Sequence, residues 1–572
     1  MTSILSVTLE LQQQLLENVS TAPLPLYIEC LENCAKQVIG DAGLREELGG
    51  RKAFWQQSCQ CIDSLRDELA QDQDDETVRQ TLIATVRLVR NIVANDINNQ
   101  ANAVSSGISN NIENMLAWCL LENIPESKHI RAGHNTFLNY CVEYYTLPTD
   151  RPITQMGVQA LCNMLTGNSK QQNILWTVWM KDSGYSALFA KLLSTSDQIT
   201  LMSTLVLIFN CIRNDRERSS MLVETQTGKM ILKCLLKNAE LVLEDEKTQN
   251  FELIFAIFEQ VVNNGLFSKA FASFASKEGL AISSNQTILL KMYDSAIHRQ
   301  QSHINLNAAD ERLLVDSLKT TCNQAVDALS KLPEVASSAL GSSDSNAEAS
   351  SMTESGGSAE DQRNVRMTVE DTANAYTGVI LLLQTIGTMI VEGQCSSEVK
   401  QEIANGGCLK ACLDLLAQAE RKIPRITKST EAMVSDTDTS KGTVGFMYIK
   451  RDIVRLVGAL AYQDRQMQDK VRELGGIGLV LSQCNIDDAN PCKWFHPLAS
   501  ELFLVWYVIT ECIIVDVKEY AIVAVRNLLD KNSENQAIVE QLSPQDAVPH
   551  PVLEEIGVTT ELRDGKVNVR KP

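Results

Sequence analysis

Val86-Arg-Leu-Val-Arg-Asn91 is the start of the first copy of a block that decides the fold. Gln100 completes this copy, nine positions after Asn91. The block is an apolar helix ending in Asn, a short polar turn, and a Gln or Ser that opens the next helix. A degenerate fifth copy has Ala459 in the Asn place and keeps Gln468. The other full copies are Val158–Asn163 with Gln172, Leu205–Asn210 with Ser219, and Ile522–Asn527 with Gln536.

Apolar residues around these blocks recur with the period of an α-helix. Leu82, Val86 and Val89 form one such stripe, and alternation typical of strands is sustained in only one segment. Asn163 and Asn210 are 47 residues apart, within the repeat length of about 40 to 47 residues in armadillo and HEAT proteins. The sequence therefore predicts an all-α fold, an armadillo/HEAT-like α-solenoid interrupted by a disordered linker. An unrelated helical bundle with chance similarity is the alternative.

Composition and charge narrow the classes of function. The 572 residues carry 51 Lys and Arg against 71 Asp and Glu, a net charge of −20, which repels phosphate backbones and anionic membranes on average. We therefore expect no nucleic-acid partner. The first residues lack the pattern of a secretory signal, and 16 Cys at irregular spacing fit free thiols in a reducing compartment. A cytoplasmic location is expected.

Two polar stretches interrupt the predicted array. Residues 336–363 are rich in Ser, Gly and acids, a composition that buries too little apolar surface to offset ordering entropy. Residues 427–443 predict a long polar loop. The expected organisation is therefore N-terminal armadillo-like repeats at 1–335, a linker at 336–363, helical repeats at 364–426, a loop at 427–443, a C-terminal armadillo domain at 444–545, and a tail at 546–572.

Residues 492–518 differ from their surroundings. Two of the six Trp and a β-branched, aromatic run at 502–515 lie here. The run is short for a membrane span and contains Glu511, which makes membrane anchoring improbable. Removing about 25 residues would restore the distance from Ala459 to Asn527 to the armadillo repeat length. The segment is therefore interpreted as a foreign insertion, such as a translated intron.

The residues on either side of this segment resemble the C-terminal domain of the ataxin-10 family. The similar stretches are Ile453–Tyr462, Gln468–Ile477, Cys484–Pro491 and Glu519–Leu528. The length and the Ser-rich linker are similar to fungal homologues. The resemblance implies a non-enzymatic, armadillo-like cytoplasmic protein associated with cytokinesis, with no catalytic residues to carry over. Because the family has Asn where this chain has Ala459, any role of that position is in doubt.

Motifs that carry chemistry are few. No Walker loop, GxGxxG, HExxH or GxSxG sequence occurs, so no catalytic residue and no cofactor are expected. Cys30 with Cys34, and Cys408 with Cys412, are spaced to lie on one helix face, but neither pair has the His or CxxC neighbours of a zinc site. We interpret them as buried apolar residues and expect no metal.

The block asparagines are the candidate binding residues. Armadillo proteins line an inner groove with Asn side chains whose amides both donate to and accept from an extended peptide backbone. The alternative is that each Asn bonds a neighbouring carbonyl or helps to end its helix. Both readings apply to Asn91, Asn163, Asn210 and Asn527.

The sequence thus predicts a scaffold that binds other proteins through the concave face of the solenoid and acts in cell division. The alternative function is a membrane-tethered adaptor anchored by the apolar run 502–515. The oligomeric state and the identity of the partners do not follow from the sequence.

The interpretation of residues 492–518 as foreign predicts that the mature transcript lacks most of the corresponding codons. Sequencing the transcript across this junction tests it, because the codon for Pro491 should then lie close to that for Glu519. A mature message that retains the whole segment contradicts the interpretation.

Overall fold

A computed structural model describes most of the helical array and a C-terminal hairpin. The described residues are 24–122, 150–242, 249–275, 282–298, 307–330, 359–393, 395–422, 447–484, 517–541, 559–563 and 566–570. These residues form two compact units. The first contains the described helices up to Phe274, and the second contains residues 282–294 and those from 307 onward.

Five helices of the first unit stack in chain order, each against the next. They are α1 (Leu24–Gly40), α4 (Glu76–Ile92), α7 (Arg151–Leu165), α10 (Gln198–Ile212) and α13 (Gln249–Asn263). The other helices connect them: α2 (Ala42–Gly49), α3 (Lys52–Gln71), α5 (Ile97–Ser106), α6 (Ile108–Ala117) with a π-helical turn (Trp118–Glu122), α8 (Ser169–Lys181), α9 (Tyr185–Leu193), α11 (Arg216–Glu224), α12 (Gln226–Val242) and α14 (Phe267–Ser273). Contact between successive repeats is the defining feature of a solenoid.

The second unit repeats this arrangement, with α17, α20 and α23 stacked in order and α16 against α17 and α19. The helix α15 (Ser284–His298) precedes them. The remaining helices are α16 (Ala308–Ser330), α17 (Ala359–Val391), α18 (Ser397–Asn405), α19 (Cys408–Lys422), α20 (Met447–Ala461), α21 (Arg465–Glu473), α22 (Gly476–Ser482), α23 (Val517–Leu529) and α24 (Ser533–Glu540). The prediction of an all-α solenoid is confirmed.

Apolar stripes of these helices form the core. Leu82, Val86 and Val89, the stripe that indicated a helix, have no exposed surface on α4. In the second unit Ile453 and Val457 of α20 are likewise fully buried. Burial of such side chains contributes roughly 1.5 to 3 kcal/mol each, so the stacked faces supply most of the stability of the array.

The turn that follows each block has one backbone geometry in all five copies. The residue four positions after the block Asn, or after Ala459, has a positive φ between 52° and 73°. This left-handed conformation is cheapest for Gly and tolerable for Asn. The residues are Asn95, Gly167, Asn214, Gln463 and Lys531.

The next residue in each copy begins the following helix as its N-cap. Its side-chain oxygen accepts a hydrogen bond from a backbone N–H three residues later, which satisfies one of the free donors of the first turn. The caps are Asp96, Asn168, Asp215, Asp464 and Asn532. A left-handed residue followed by a cap therefore turns the chain at every block.

Three predicted segments fall wholly or partly outside the described residues. Of the linker 336–363, only residues 359–363 are described, and they form the start of α17. The loop 427–443 lies entirely outside. Of the segment 492–518, only Val517 and Lys518 are described, at the start of α23. The helix α16, grouped with the N-terminal repeats in the sequence analysis, belongs to the second unit, because it packs against α17 and α19.

The tail contains an antiparallel hairpin that the sequence analysis did not anticipate. Strand β1 (Thr559–Arg563) pairs with β2 (Lys566–Arg570), with Thr559 opposite Arg570 and Arg563 opposite Lys566. The two residues between the strands in the sequence are Asp564 and Gly565, a pair typical of two-residue hairpin connections.

Left-handed turn geometry predicts opposite effects of substitution at two equivalent positions. A methyl group added at Gly167 would meet nothing within 4 Å, so Gly167→Ala should lower the free energy of unfolding by about 1 kcal/mol through backbone strain alone. Lys531→Gly should raise it or leave it unchanged, because Gly relieves that strain while losing more chain entropy on folding. Urea denaturation of both variants measures the effects.

The matched control is Gly387→Ala, in the interior of α17. Its added methyl also meets open space, but the backbone there is helical, so this variant should gain about 0.5 to 1 kcal/mol. If Gly167→Ala is as stable as the natural protein, the left-handed turn does not constrain the junction.

Candidate functional site

Each of the four predicted asparagines donates its side-chain N–H to the helix stacked before its own. The acceptors are main-chain carbonyls in three copies and a hydroxyl in the fourth. The bonds from Nδ2 are Asn91 to the Ala35 carbonyl at 2.8 Å, Asn163 to the Arg90 carbonyl at 3.1 Å, Asn527 to the Gly458 carbonyl at 2.9 Å, and Asn210 to Thr166 Oγ1 at 3.1 Å. These bonds join successive helices of the stack, as in the second reading left open by the sequence.

The four asparagines differ in exposure. Asn91 is only 6% exposed, and its Oδ1 accepts from Arg90 Nε at 3.0 Å and from Arg90 Nη2 at 2.9 Å. Asn163, Asn210 and Asn527 are half-buried. Among the hydrogen bonds of the described residues, the Oδ1 atoms of these three accept none, so each retains the capacity to bind a donor.

Contacts between side chains of neighbouring helices define one continuous face of the first unit. Arg90 Nη1 of α4 donates to Gln159 Oε1 of α7 at 2.7 Å, and Asn163 lies one turn further along α7. Asn210 of α10 reaches back to Thr166, and Gln260 Oε1 of α13 accepts from the Asn214 main-chain N–H at 2.9 Å. We call this set the amide row, and its members are Arg90, Gln159, Asn163, Asn210 and Gln260.

The Gln that follows two of the blocks, Gln100 and Gln468, has a separate, buried function. Gln100 is 0% exposed, and its Nε2 donates to the carbonyls of Asn163 at 2.8 Å and Thr166 at 3.0 Å. Gln468 does the same in the second unit, to Asn527 at 2.9 Å and Asp530 at 3.3 Å. The amide thereby satisfies carbonyls at the end of the next stacked helix, which have no partner within that helix.

This cross-junction role of Gln was missed by sequence reasoning, because the constant offset of nine residues marks the position of the Gln and not its acceptors. The side chains of the other copies donate only to a carbonyl of their own block's helix, while Gln172 Oε1 accepts from Arg218 Nη2 and Ser219 Oγ accepts from Asn264 Nδ2, each at 3.2 Å. Gln172 donates to the Leu165 carbonyl and Gln536 to the Leu529 carbonyl, each at 2.8 Å, and Ser219 Oγ donates to the Ile212 carbonyl at 3.2 Å.

A buried carboxylate with a shifted pKa lies away from the amide row. Glu113 of α6 is 4% exposed and accepts from Trp179 Nε1 at 2.9 Å and from the Tyr185 hydroxyl at 2.6 Å. Burial raises the pKa of Glu113, and these two hydrogen bonds oppose the shift. Because both oxygens are occupied by structural donors, the arrangement joins three helices and leaves no oxygen directed at a substrate.

Other groups offer little for catalysis or metal binding. A cavity lined by Tyr27, Cys61 and Thr85 has a volume of about 10 Å³, room for one water molecule. Cys412 lies beside Cys408, and its Sγ is 3.9 Å from Cys322 Sγ; burial and thiol contacts raise the pKa of Cys408 and of Cys412. Within the described ranges, no three His, Cys, Asp or Glu side chains come together as metal ligands.

Comparison with known proteins concerns the C-terminal part of the chain. Residues 449–494 and 507–570 match a family model described as the spinocerebellar ataxia type 10 protein domain. This C-terminal part of the chain is similar to the ataxin-10 family. The match covers α20 to α24 and both strands of the hairpin, so the ataxin-10 domain extends beyond the region in which the resemblance was noticed. Of the segment 492–518 that was interpreted as foreign, residues 495–506 are unmatched, whereas residues 492–494 and 507–518 match the family model.

Similar ataxin-10 proteins come from vertebrates and yeasts. Ataxin-10 of Xenopus tropicalis is 30% identical over 164 residues, 28% of this chain and 28% of that protein. The ataxin-10 homolog of Candida albicans is 37% identical over 123 residues, 22% of this chain and 21% of that protein. The chain thus matches less than a third of the length of each relative. An engineered protein of known structure aligns with 90% of this chain and 98% of its own, at 11% identity and a TM-score of 0.32, a likeness too low to support any argument.

The shifted pKa of Glu113 predicts a pH-dependent stability difference. Because the pKa is raised in the folded protein, the folded state holds a proton more tightly than the unfolded chain, and its stability relative to a neutral variant falls as the pH rises above about 4.3. Glu113→Gln should therefore become increasingly stable relative to the natural protein between about pH 4 and pH 7. Urea denaturation at several pH values measures this.

Glu224→Gln is the control, because its stability relative to the natural protein should change with pH in the opposite direction. A hydrogen bond from Lys269 lowers the pKa of Glu224, so the natural protein should gain stability relative to this variant as the pH rises. Parallel pH profiles for the two variants would show that Glu113 ionises as an ordinary surface carboxylate.

Proposed function

We propose that this protein is a non-enzymatic scaffold that binds extended segments of partner proteins along the amide row, and that it acts in cytokinesis in the cytoplasm. The similarity to the ataxin-10 family and the helical solenoid fold fit a scaffold. The role in cell division and the location rest on the resemblance to the family and on the charge and cysteine content of the chain.

The observation that supports peptide binding is the geometry of Asn163 and Asn210. Each side chain is fixed by a hydrogen bond from its Nδ2 to the preceding helix, so its conformation is set before a partner arrives. An extended peptide presents alternating N–H and C=O groups, and a side-chain amide can serve either. Preorganised acceptors lose little entropy on binding, which favours these positions for recognition of a main chain.

Asn527 offers the same arrangement in the second unit. Its Nδ2 bonds the Gly458 carbonyl, and it is half-buried as Asn163 is. Asn91 contributes differently, because its buried amide holds the Arg90 guanidinium in place on the row. The proposal therefore assigns direct contact to Asn163, Asn210 and Asn527 and a positioning role to Asn91.

The absence of an enzymatic activity is part of the proposal. Glu113, a buried acid with a shifted pKa, has both oxygens occupied by Trp179 and Tyr185, and the cavity beside Tyr27 is too small for a substrate. These observations favour binding over catalysis.

The alternative, a membrane-tethered adaptor anchored by residues 502–515, is not favoured. No helix in the described part of the chain combines the length and apolar character needed to cross a bilayer. Residues 502–515 themselves lie outside that part.

The proposal predicts that the double variant Asn163→Ala, Asn210→Ala binds its partner protein about thirtyfold more weakly and recovers much less of it in affinity purification from cells, because two hydrogen bonds of roughly 1 kcal/mol each are lost. Mass spectrometry of the co-eluting proteins quantifies the recovery, and circular dichroism verifies the fold.

Gln100→Ala is the matched control. It removes buried bonds between α5 and the end of α7 and leaves the exposed face unchanged, so it should reduce stability and retain the partners. If the double variant keeps its fold and its partners, the amide row does not bind them.

A further inference from the structure

We infer that the amide row recognises an acidic segment, an extended peptide that carries carboxylate side chains. This inference rests on the proposed function and adds the chemistry of the partner. It depends on the two arginines that lie at either end of Asn163 and Asn210.

Arg90 is a half-buried cation whose described hydrogen bonds all go to neutral acceptors. Nε and Nη2 donate to Asn91 Oδ1, and Nη1 donates to Gln159 Oε1 at 2.7 Å and lies 3.4 Å from Met156 Sδ. Burial and the neighbouring Arg87 lower the pKa of Arg90. The surroundings of this side chain therefore disfavour its positive charge. Arg87 itself is paired with Glu32, so a carboxylate arriving at the row would stabilise Arg90.

Arg213 provides the second cation. It is exposed directly after the end of α10, and its guanidinium carbon lies 5.7 Å from the centre of the half-buried Phe209 ring. Cation–π contact of this kind holds the guanidinium plane while leaving its N–H groups available to an anion. Within the described residues neither Arg90 nor Arg213 forms an ion pair, whereas nearby Asp215 is paired with Arg218.

The two cations lie along the row rather than at one point. Arg90 is on α4 and Arg213 follows α10, with α7 between them. Because Arg90 Nη1 reaches Gln159 of α7, its charge lies at the contact of α4 with α7. An extended peptide with acids at several positions of one face can therefore pair with both cations.

The surface between the arginines suits the intervening residues. Asn163 and Asn210 face the main chain, and the half-buried Met156 and Phe209 provide apolar contacts. Two cations neutralise too few phosphates for nucleic acid binding. A short acidic peptide is therefore the favoured partner.

The test uses the full chain and a fluorescein-labelled peptide of ten residues with Glu at every second position and Leu, Ala and Ser elsewhere. Fluorescence anisotropy should give an affinity at least tenfold higher for this peptide than for the version with every Glu replaced by Gln. The affinity should also fall when the ionic strength rises.

Arg213→Gln, an exposed substitution, should weaken binding of the acidic peptide by about tenfold and leave binding of the Gln peptide unchanged. Lys181→Gln, which removes an exposed cation of α8 outside the row, is the matched control and should have no effect.

Three results would overturn the inference: equal affinity for the Glu and Gln peptides, no binding of either, or tighter binding of a ten-nucleotide single-stranded DNA than of the acidic peptide. A different result would contradict the proposed function, namely that the Asn163 and Asn210 double variant keeps its partners in cells.

Discussion

The buried carbonyls at the ends of stacked helices are the constraint on which this structure depends. A helix ends with carbonyls that lack a partner within it, and in a solenoid some of these ends are covered by the next repeat, where leaving one unsatisfied costs about 1 to 3 kcal/mol. Gln100 and Gln468 satisfy two such carbonyls each, at positions that correspond between the two units. The turn before each Gln brings its amide to the junction.

The same junctions organise the surface that we propose for binding. Asn163 and Asn210 are tied to the preceding helices by one N–H each, so structural and recognition roles use different atoms of one side chain. The copy with Ala459 shows which features of the junction do not need the Asn. It has the left-handed Gln463, the N-cap Asp464 and the bridging Gln468, although it lacks an Asn. The turn therefore does not require the Asn.

Much of the helical array could be predicted from the sequence, because burial of one helix face imposes its period on the residues, as with Leu82, Val86 and Val89. The offset from Asn91 to Gln100 located the junctions, and the stretches around Gln468 indicated the similarity to the ataxin-10 family. The bonding of Gln100 could not be predicted, since its acceptors at Asn163 and Thr166 are distant in sequence. The hairpin could have been found from Asp564-Gly565 between its two strands. The roles of Arg90 and Arg213 could not be predicted, because they depend on the side chains packed around each arginine.

The central claim is that partners bind the amide row of the first unit. Hydrogen–deuterium exchange of the full chain, measured by mass spectrometry with and without its co-purified partner, tests this claim most directly. The account predicts slower exchange on partner binding in peptides from α4, α7 and α10, including the turns that contain Gly167 and Asn214. Protection confined to other helices, with these three unchanged, would contradict it.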